Sequence, residues 1–487
     1  METYYLILVI VLFGLAISDL IVGVSNDAVN FLNSAIGSRV ASRQVIMIIA
    51  SFGILIGATF SSGLMEIARK GIFHPDQFFF SEIMVIFIAV MITDIILLDL
   101  FNTFGLPTST TVSIVFELLG AAVAVSIIKL SNDHTETILD IGKYINSEKA
   151  FEIISGIFIS ILIAFTIGAL VMFLTRTLFS FQYHKRLRFF GSFWGSIAIT
   201  AITYFMFIKG LKGASFVSEK ELSWVMENTW TIIIFSFIGW MVLLQVLKWL
   251  FKLNIPRLIV LVGTFGLAMA FAGNDLVNFI GVPLAGLSSY QIYLKEGTDT
   301  FLMAALNKPV QSQTFLLLIA GVIMTLTLWF SKKARSVTET EVNLGRQDEG
   351  TERFGSTAFS RLLVSLAMDI NNLFIAVTPK PVMKVINKQF TPYDVQYKNK
   401  LDVPAFDLIR ASTNLTIASI IISFATSMKL PLSTTYVTFM VAMGTSLADR
   451  AWGRESAVYR ITGVLAVVGG WFLTAIIAFS VAAIFAI

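Results

Sequence analysis

Ser25-Asn26-Asp27-Ala28-Val29-Asn30-Phe31 returns 248 residues later as Gly273-Asn274-Asp275-Leu276-Val277-Asn278-Phe279, so that Asn-Asp-x-Val-Asn-Phe occurs twice. A second pattern, Leu-Pro-x-Ser-Thr-Thr, is read once over Leu106-Pro107-Thr108-Ser109-Thr110-Thr111 and again over Leu430-Pro431-Leu432-Ser433-Thr434-Thr435. Two polar motifs, each present twice and in the same order, mark a duplicated chain. The second pair lies 324 residues apart, 76 more than the first, and that excess is close to the length of the polar stretch 331–405. The stretch therefore reads as a linker inserted into the second copy.

The surroundings of these motifs set the fold class. Of 487 residues, 56% are hydrophobic and only 14% charged, with a mean hydropathy of +0.81, whereas charged residues make up about a quarter of an ordinary soluble domain. A water-soluble fold is excluded. Apolar runs recur along the chain and suffice for about 10–12 transmembrane segments of about 20 residues each, beginning with an N-terminal run that lacks a cleavage site and reads as a retained span. The expected fold is an all-α polytopic membrane protein. Residues 1–130 form a first repeat, 131–254 connecting transmembrane segments, and 255–487 a second repeat interrupted by 331–405.

The stretches 26–36, 107–124, 274–287 and 431–447 are too interrupted to span a bilayer simply, and read as broken or re-entrant helices. A membrane tolerates these only where the freed backbone is buried in protein or lines a wet cavity. Polar breaks at matching places in two halves point to a secondary transporter with a midplane site between the repeats. Basic clusters at Arg176 with Lys185, Arg186 and Arg188, at Lys332, Lys333 and Arg335, and at Arg450, Arg454 and Arg460 are expected in the cytoplasm. The linker 331–405 then lies in the cytoplasm and both termini outside. Within it, 361–377 has the apolar spacing of a helix lying on the membrane surface or docked as a loop helix.

The chemistry left open by composition is narrow. There is no cysteine, and His74, His134 and His184 sit in separate polar stretches, which removes thiol catalysis, disulfides and Cys- or His-based metal centres. The net charge of +4 gathers beside apolar spans and implies no nucleic-acid partner. In Leu-Pro-x-Ser-Thr-Thr, proline disfavours helix before itself and suits a helix start after it, while Ser and Thr cap that start. Two helix starts facing one another, with Ser109, Thr110, Thr111, Ser433, Thr434 and Thr435, would cradle an anion without any Arg or Lys. The same hydroxyls equally suit back-bonding to carbonyls and helix packing. Asp27 and Asp275, carboxylates in apolar surroundings, default to a functional reading. Beside an anion they need neutralising, and Asn26, Asn30, Asn274 and Asn278 add oxygen ligands suited to Na⁺; simple capping of broken helices is the alternative. Asp19, Asp94, Asp99 and Glu117 also lie in apolar runs but have no counterpart in the other half.

At these residues the chain resembles the inorganic phosphate transporter (PiT) family, whose members carry a doubled Gly-x-Asn-Asp-x-x-Asn and a doubled Gly-Leu-Pro-x-Ser-Thr-Thr around a central cytoplasmic loop. The likeness covers about 1–130 and 255–487. It implies two inverted repeats with re-entrant hairpins and an importer of inorganic phosphate by alternating access, with Na⁺ or H⁺ as coupling ion and no cofactor. Carried over, it implicates Ser109, Thr110, Thr111, Ser433, Thr434, Thr435, Asp27 and Asp275 for phosphate, and Asp27, Asn26, Asn30, Asp275, Asn274 and Asn278 for the cation. The chain departs from the pattern at Val24-Ser25, Lys429, Val112 and Tyr436, where glycines and a histidine after Ser-Thr-Thr are usual; these departures touch selectivity and the choice of ion. A sulfate permease of the same fold stays open. An intramembrane aspartyl protease leaves the Ser-Thr-Thr pair unexplained and lacks its Gly-x-Gly-Asp sequence. No enzyme is expected; the partners are phosphate and the lipid bilayer, with a homodimer allowed, and a bacterial inner membrane is the most economical location.

Overall fold

A chain this apolar must bond its backbone internally, and it does so as helices. The computed structural model describes residues 2–59, 71–132, 137–213, 218–296, 301–307, 314–347, 355–391, 403–427, 432–451 and 454–487. In order, the helices are α1 (Glu2–Asp27), α2 (Val29–Gly37), α3 (Arg43–Thr59), α4 (Phe80–Phe104), α5 (Thr110–Asn132), α6 (Ser147–Phe179), α7 (His184–Gly213), α8 (Glu219–Glu227) and α9 (Thr229–Phe251). They continue as α10 (Ile255–Glu296), α11 (Thr314–Phe330), α12 (Lys332–Leu344), α13 (Ala358–Val377), α14 (Lys380–Gln389), α15 (Leu408–Ser427), α16 (Thr434–Ala448) and α17 (Arg454–Phe485). Among the described residues the only β structure is two isolated bridges, Phe73 with Ile145 and Phe79 with Leu302.

Among the described residues, eight helices are long and apolar enough to cross a membrane, nine if α11 and α12, bent by 68° at Ser331, count as one broken span. The apolar helix α3, at 17 residues, is shorter than these. This is an integral membrane protein with an all-α fold. Its outer surface suits lipid: Trp230, Phe235 and Trp249 on α9 and Leu162, Leu170 and Leu174 on α6 are exposed.

The motif-bearing segments differ from one another. The first Asn-Asp motif lies where α1 gives way to α2 at Ala28, yet Ala28 N–H still donates to Val24 and Leu32 N–H to Ala28, so the span runs on through Gly37. The second stays inside α10, which is helical from Ile255 to Glu296 with Pro283 within it. The break expected over 274–287 is absent, because proline removes only one i to i−4 hydrogen bond and a long helix packed on both flanks absorbs that loss. The Leu-Pro-x-Ser-Thr-Thr breaks are present. Helix α4 ends at Gly105, whose φ of 61° is the left-handed conformation that glycine adopts at little cost. The chain then passes through buried Pro107, Thr108 and Ser109 and restarts as α5. Helix α16 starts in the same way after Ser433, while Leu430 and Pro431 lie outside the described residues.

The segment 331–405 is more than a loose linker. Its first turns, α12, bury Ala334, Val337, Thr338, Glu341 and Leu344 against α1, α2 and α4. The 361–377 stretch is helical within α13, with Phe359, Leu362, Leu366, Leu373 and Ile375 exposed and Ser360 tied to Thr462 of α17 (2.8 Å).

Three helix pairs pack backbone to backbone: α3 on α10, α5 on α17 and α6 on α16. Small residues permit this in membranes. A Cβ at Gly120 would collide with the Phe479 carbonyl, and one at Gly444 with the Phe165 carbonyl. At the end of α6, buried Arg176 forks onto Asp407 (2.8 and 3.0 Å) and Asp449 (2.5 and 2.8 Å), and Arg410 joins Asp449 (2.9 Å). Burial alone would push the Asp407 carboxyl up, but the charge and hydrogen bonds of Arg176, with help from Arg410, hold it below its ordinary 3.8.

Two outcomes follow for the purified protein in detergent. Gly444→Val should overpack the α6–α16 contact and cost about 1–3 kcal/mol, read as a lower melting temperature. A depressed carboxyl adds stability that is complete above its unfolded value and is lost as pH falls through its folded one. Asp407→Asn should therefore lower the melting temperature at pH 7 and flatten the loss of stability that the parent shows below about pH 4.

Candidate functional site

The four motifs converge. Asp27, at the end of α1, accepts hydrogen bonds from Thr110 (2.9 Å) of the first Ser-Thr-Thr and Thr435 (2.9 Å) of the second. Asp275, midway along α10, accepts from Thr434 (2.9 Å) and from Asn278 (3.4 Å). Both carboxyls are buried. The arrangement has a cross-over: each aspartate is bonded by the middle residue of its own half's Ser-Thr-Thr, while the second asparagine of each motif reaches the other half. Asn30 donates to Thr435 (2.9 Å) and Asn278 to Thr111 (3.1 Å). Asn278 also donates to Thr110 (3.2 Å) and Asn30 accepts from Thr438 (3.2 Å).

The serines cap the two helix starts. Ser109 Oγ accepts from Val112 N–H and Ser433 Oγ from Tyr436 N–H, each at 3.2 Å. Capping uses the oxygen as acceptor, which leaves the hydroxyl proton to be given to an anion. Two helix N-termini, two serines and three threonines thus gather around two carboxylates. The carboxylate and amide oxygens are hard donors of the kind that hold an alkali cation. Among the described residues no group of three His, Cys, Asp or Glu side chains is arranged as a transition-metal site.

Asn26 sits apart from this centre. Its amide donates to Asn102 (2.9 Å) and the Leu106 carbonyl (3.1 Å), and its oxygen accepts from Thr108 N–H (2.8 Å). These three bonds shape the first hairpin, whose far side is held by Trp471, donating to the Pro107 carbonyl (3.0 Å), and by Thr474, bonded to Thr108 (2.8 Å). The backbone of Asn274 lies in α10, but its side chain is outside the described residues. Tyr436, in the place of the usual histidine, stacks on Trp471 with ring centres 3.8 Å apart, joining the second helix start to the clamp on the first.

A model of the phosphate transporter family matches residues 23–339, two-thirds of the chain. The chain belongs to the phosphate transporter family. This places it among transporters rather than enzymes. A protein of Thermococcus kodakarensis assigned as a phosphate permease is 27% identical over 223 residues, 44% of this chain and half the length of that relative. One of Pyrococcus furiosus, likewise assigned, is 24% identical over 59% of this chain and 67% of its own. The solved structure of a sodium-dependent phosphate transporter superposes with a TM-score of 0.62 over 98% of both chains at 18% identity, a likeness of fold.

Other polar residues near the centre had no sequence signal. A small cavity beside it is lined by Asn30, Asn33, Asn414, Thr438 and Glu341. Glu341 is buried on α12 and bonded to Asn33, while its second oxygen and that of Asn33 find no partner. In the sequence Glu341 is one of several acidic residues in a polar stretch. Its burial at 1% exposure comes from the docking of α12, which no local pattern announces.

The geometry gives Asn26 a positioning part. Asn26→Leu should cost about 1–3 kcal/mol through unsatisfied hairpin groups, seen as a lower melting temperature, with the cation dependence of any remaining transport unchanged.

Proposed function

We propose that the protein is a cation-coupled importer of inorganic phosphate that works by alternating access, with its substrate site at the crossed Ser-Thr-Thr and Asn-Asp motifs. The observation that carries this reading is the use of hydroxyls as donors to Asp27 and Asp275. An anion entering between the two helix starts takes hydroxyl protons of Thr110, Thr434 and Thr435, together with those of Ser109 and Ser433. Each hydroxyl has one proton to give, so every bond from Thr110, Thr434 or Thr435 to phosphate is one withdrawn from an aspartate. The aspartates, stripped of donors in a medium of low polarity, must then be met by a cation. Substrate and cation binding become one exchange, and the coupling needs no distant relay.

Na⁺ suits Asp27 and Asp275 with Asn30 and Asn278 by its oxygen preference, and the sodium-dependent transporter of similar fold supports that choice. The crossed pairing fits two inverted repeats, about 1–130 and 255–487, that share one site. The cavity running from Asn30 and Thr438 to Glu341 lies on the side of α12, whose Lys332, Lys333 and Arg335 favour the cytoplasm, and it is read as part of the release path. The remainder of 331–405 then lies in the cytoplasm, and a bacterial inner membrane is the proposed location.

The experiment is uptake of labelled phosphate into proteoliposomes under an imposed Na⁺ or H⁺ gradient, with sulfate as competitor. Phosphate uptake driven by the gradient and resistant to sulfate is expected; sulfate uptake in its place would make the protein a sulfate permease. Ser109→Ala and Ser433→Ala should each remove a hydrogen bond to a charged group worth about 1.5–3 kcal/mol, a loss of roughly ten- to a hundredfold in phosphate affinity. Asp27→Asn should uncouple phosphate binding from cation concentration.

A further inference from the structure

Beyond the motif centre, three more carboxyls are buried together within the helices. Asp19 on α1, Asp94 on α4 and Glu117 on α5 are all at 0% exposure. Ser113 stands between two of them, with its Oγ 2.5 Å from Asp94 Oδ1 and 2.6 Å from Glu117 Oε1. A serine hydroxyl has a single proton, so it donates to one of these oxygens and must accept from the other. The accepting contact requires a carboxyl that itself carries a proton.

Asp19 points to the same conclusion independently. Neither of its oxygens has a hydrogen-bond donor, and the same holds for the outer oxygens of Asp94 and Glu117. The group facing Asp19 is the Asp94 carboxyl, which also faces Glu117. Carboxyls facing one another without a donor are satisfied by a shared proton. A metal ion fits less well, because the inner oxygens converge on a hydroxyl, and no metal-like arrangement exists among the described residues.

Among the described residues, the charged groups on the surrounding helices are bonded elsewhere. Lys129 is paired with Glu82 and Lys333 with Asp99. On α17, Arg460 bonds the carbonyls of Arg346 and Ala451, and on α12 Glu341 bonds Asn33. The Asp27 carboxyl of the motif centre is near enough to interact electrostatically with Asp19 and Asp94. The link to the motif centre is also covalent. Thr110, Ser113 and Glu117 stand at i, i+3 and i+7 on α5 and so share a face, with Thr110 bonded to Asp27 at one end of the row.

We propose that Asp19, Asp94 and Glu117, gathered about Ser113, form a proton-binding site that takes up or releases a proton as the neighbouring Asp27–Asp275 centre fills and empties. The site makes the proton a second coupled ion, separate from the cation held by the motif aspartates. The coupling part of this proposal rests on the reading of the protein as a phosphate transporter; the existence of a bound proton does not.

The full-length protein in lipid nanodiscs tests both parts. Infrared spectra at neutral pH should contain a carboxylic-acid carbonyl band that Glu117→Gln or Asp94→Asn removes or diminishes and Ser113→Ala shifts. Absence of that band, or a band indifferent to all three changes, overturns the proposal. Phosphate-binding calorimetry in buffers of different ionisation enthalpy counts the protons exchanged. About one proton per bound phosphate is expected for the parent, giving up to tenfold in affinity per pH unit, and close to none for Asp94→Asn or Glu117→Gln, which should still bind phosphate. Phosphate's own titration is common to all of them, so the difference isolates the cluster. A proton count unchanged by the substitutions overturns the coupling. If the parent binds no phosphate, the transport reading fails, while the infrared band still decides whether the site holds a proton.

Discussion

Two carboxylates buried close together and bonded by hydroxyls from both halves of the chain form the constraint around which this molecule is arranged. Ionised groups are costly inside apolar protein unless their acceptor capacity is filled. Here it is filled by short hydroxyl side chains that must be brought to within 2.9 Å from helices in both halves of the chain. That demand explains why helix starts are placed in the interior, why Gly105 ends α4 so abruptly, and why Asn26, Asn102 and Trp471 are spent on holding one hairpin still. Hydroxyls and helix N-termini beside carboxylates suit an anion that arrives with its own counter-ion, in keeping with the transport proposed above.

Much of this was legible in the sequence because it is written locally. The composition compels helices, since lipid offers the backbone no partner. The Pro-x-Ser-Thr-Thr stretches announce helix starts because proline and the capping serine act within three residues of one another. The repetition of both motifs reveals that they belong together, although hundreds of residues separate them. The expectation for 274–287 failed for an equally physical reason. A polar pair and a proline look like a break when read alone, yet α10 is packed by α1, α3, α7 and α15, and tertiary contact outweighs one missing hydrogen bond.

What stayed hidden depends on docking between elements distant in sequence. Glu341 lies in a stretch whose composition says linker, and only the seating of α12 against α1, α2 and α4 turns it into a buried carboxyl beside the site. Asn26 and Asn30 are four residues apart in one motif and read alike, but one shapes a hairpin and the other reaches across to Thr435. The partners of Asp19 come from α4 and α5, at positions with no counterpart in the second half. A repeat calls attention to what it copies, and so draws the eye away from a cluster present only once.

The crossing of Asn30 to Thr435 and of Asn278 to Thr111 has an evolutionary consequence. Each half supplies donors to the hydroxyls of the other, so the bonded set is incomplete in either half alone. A half-length ancestor with this sequence pattern would have needed a second copy of itself to make the same set of bonds. Fusion of two such copies would free them to diverge, and buried acids carried by one half alone are what such a history would allow.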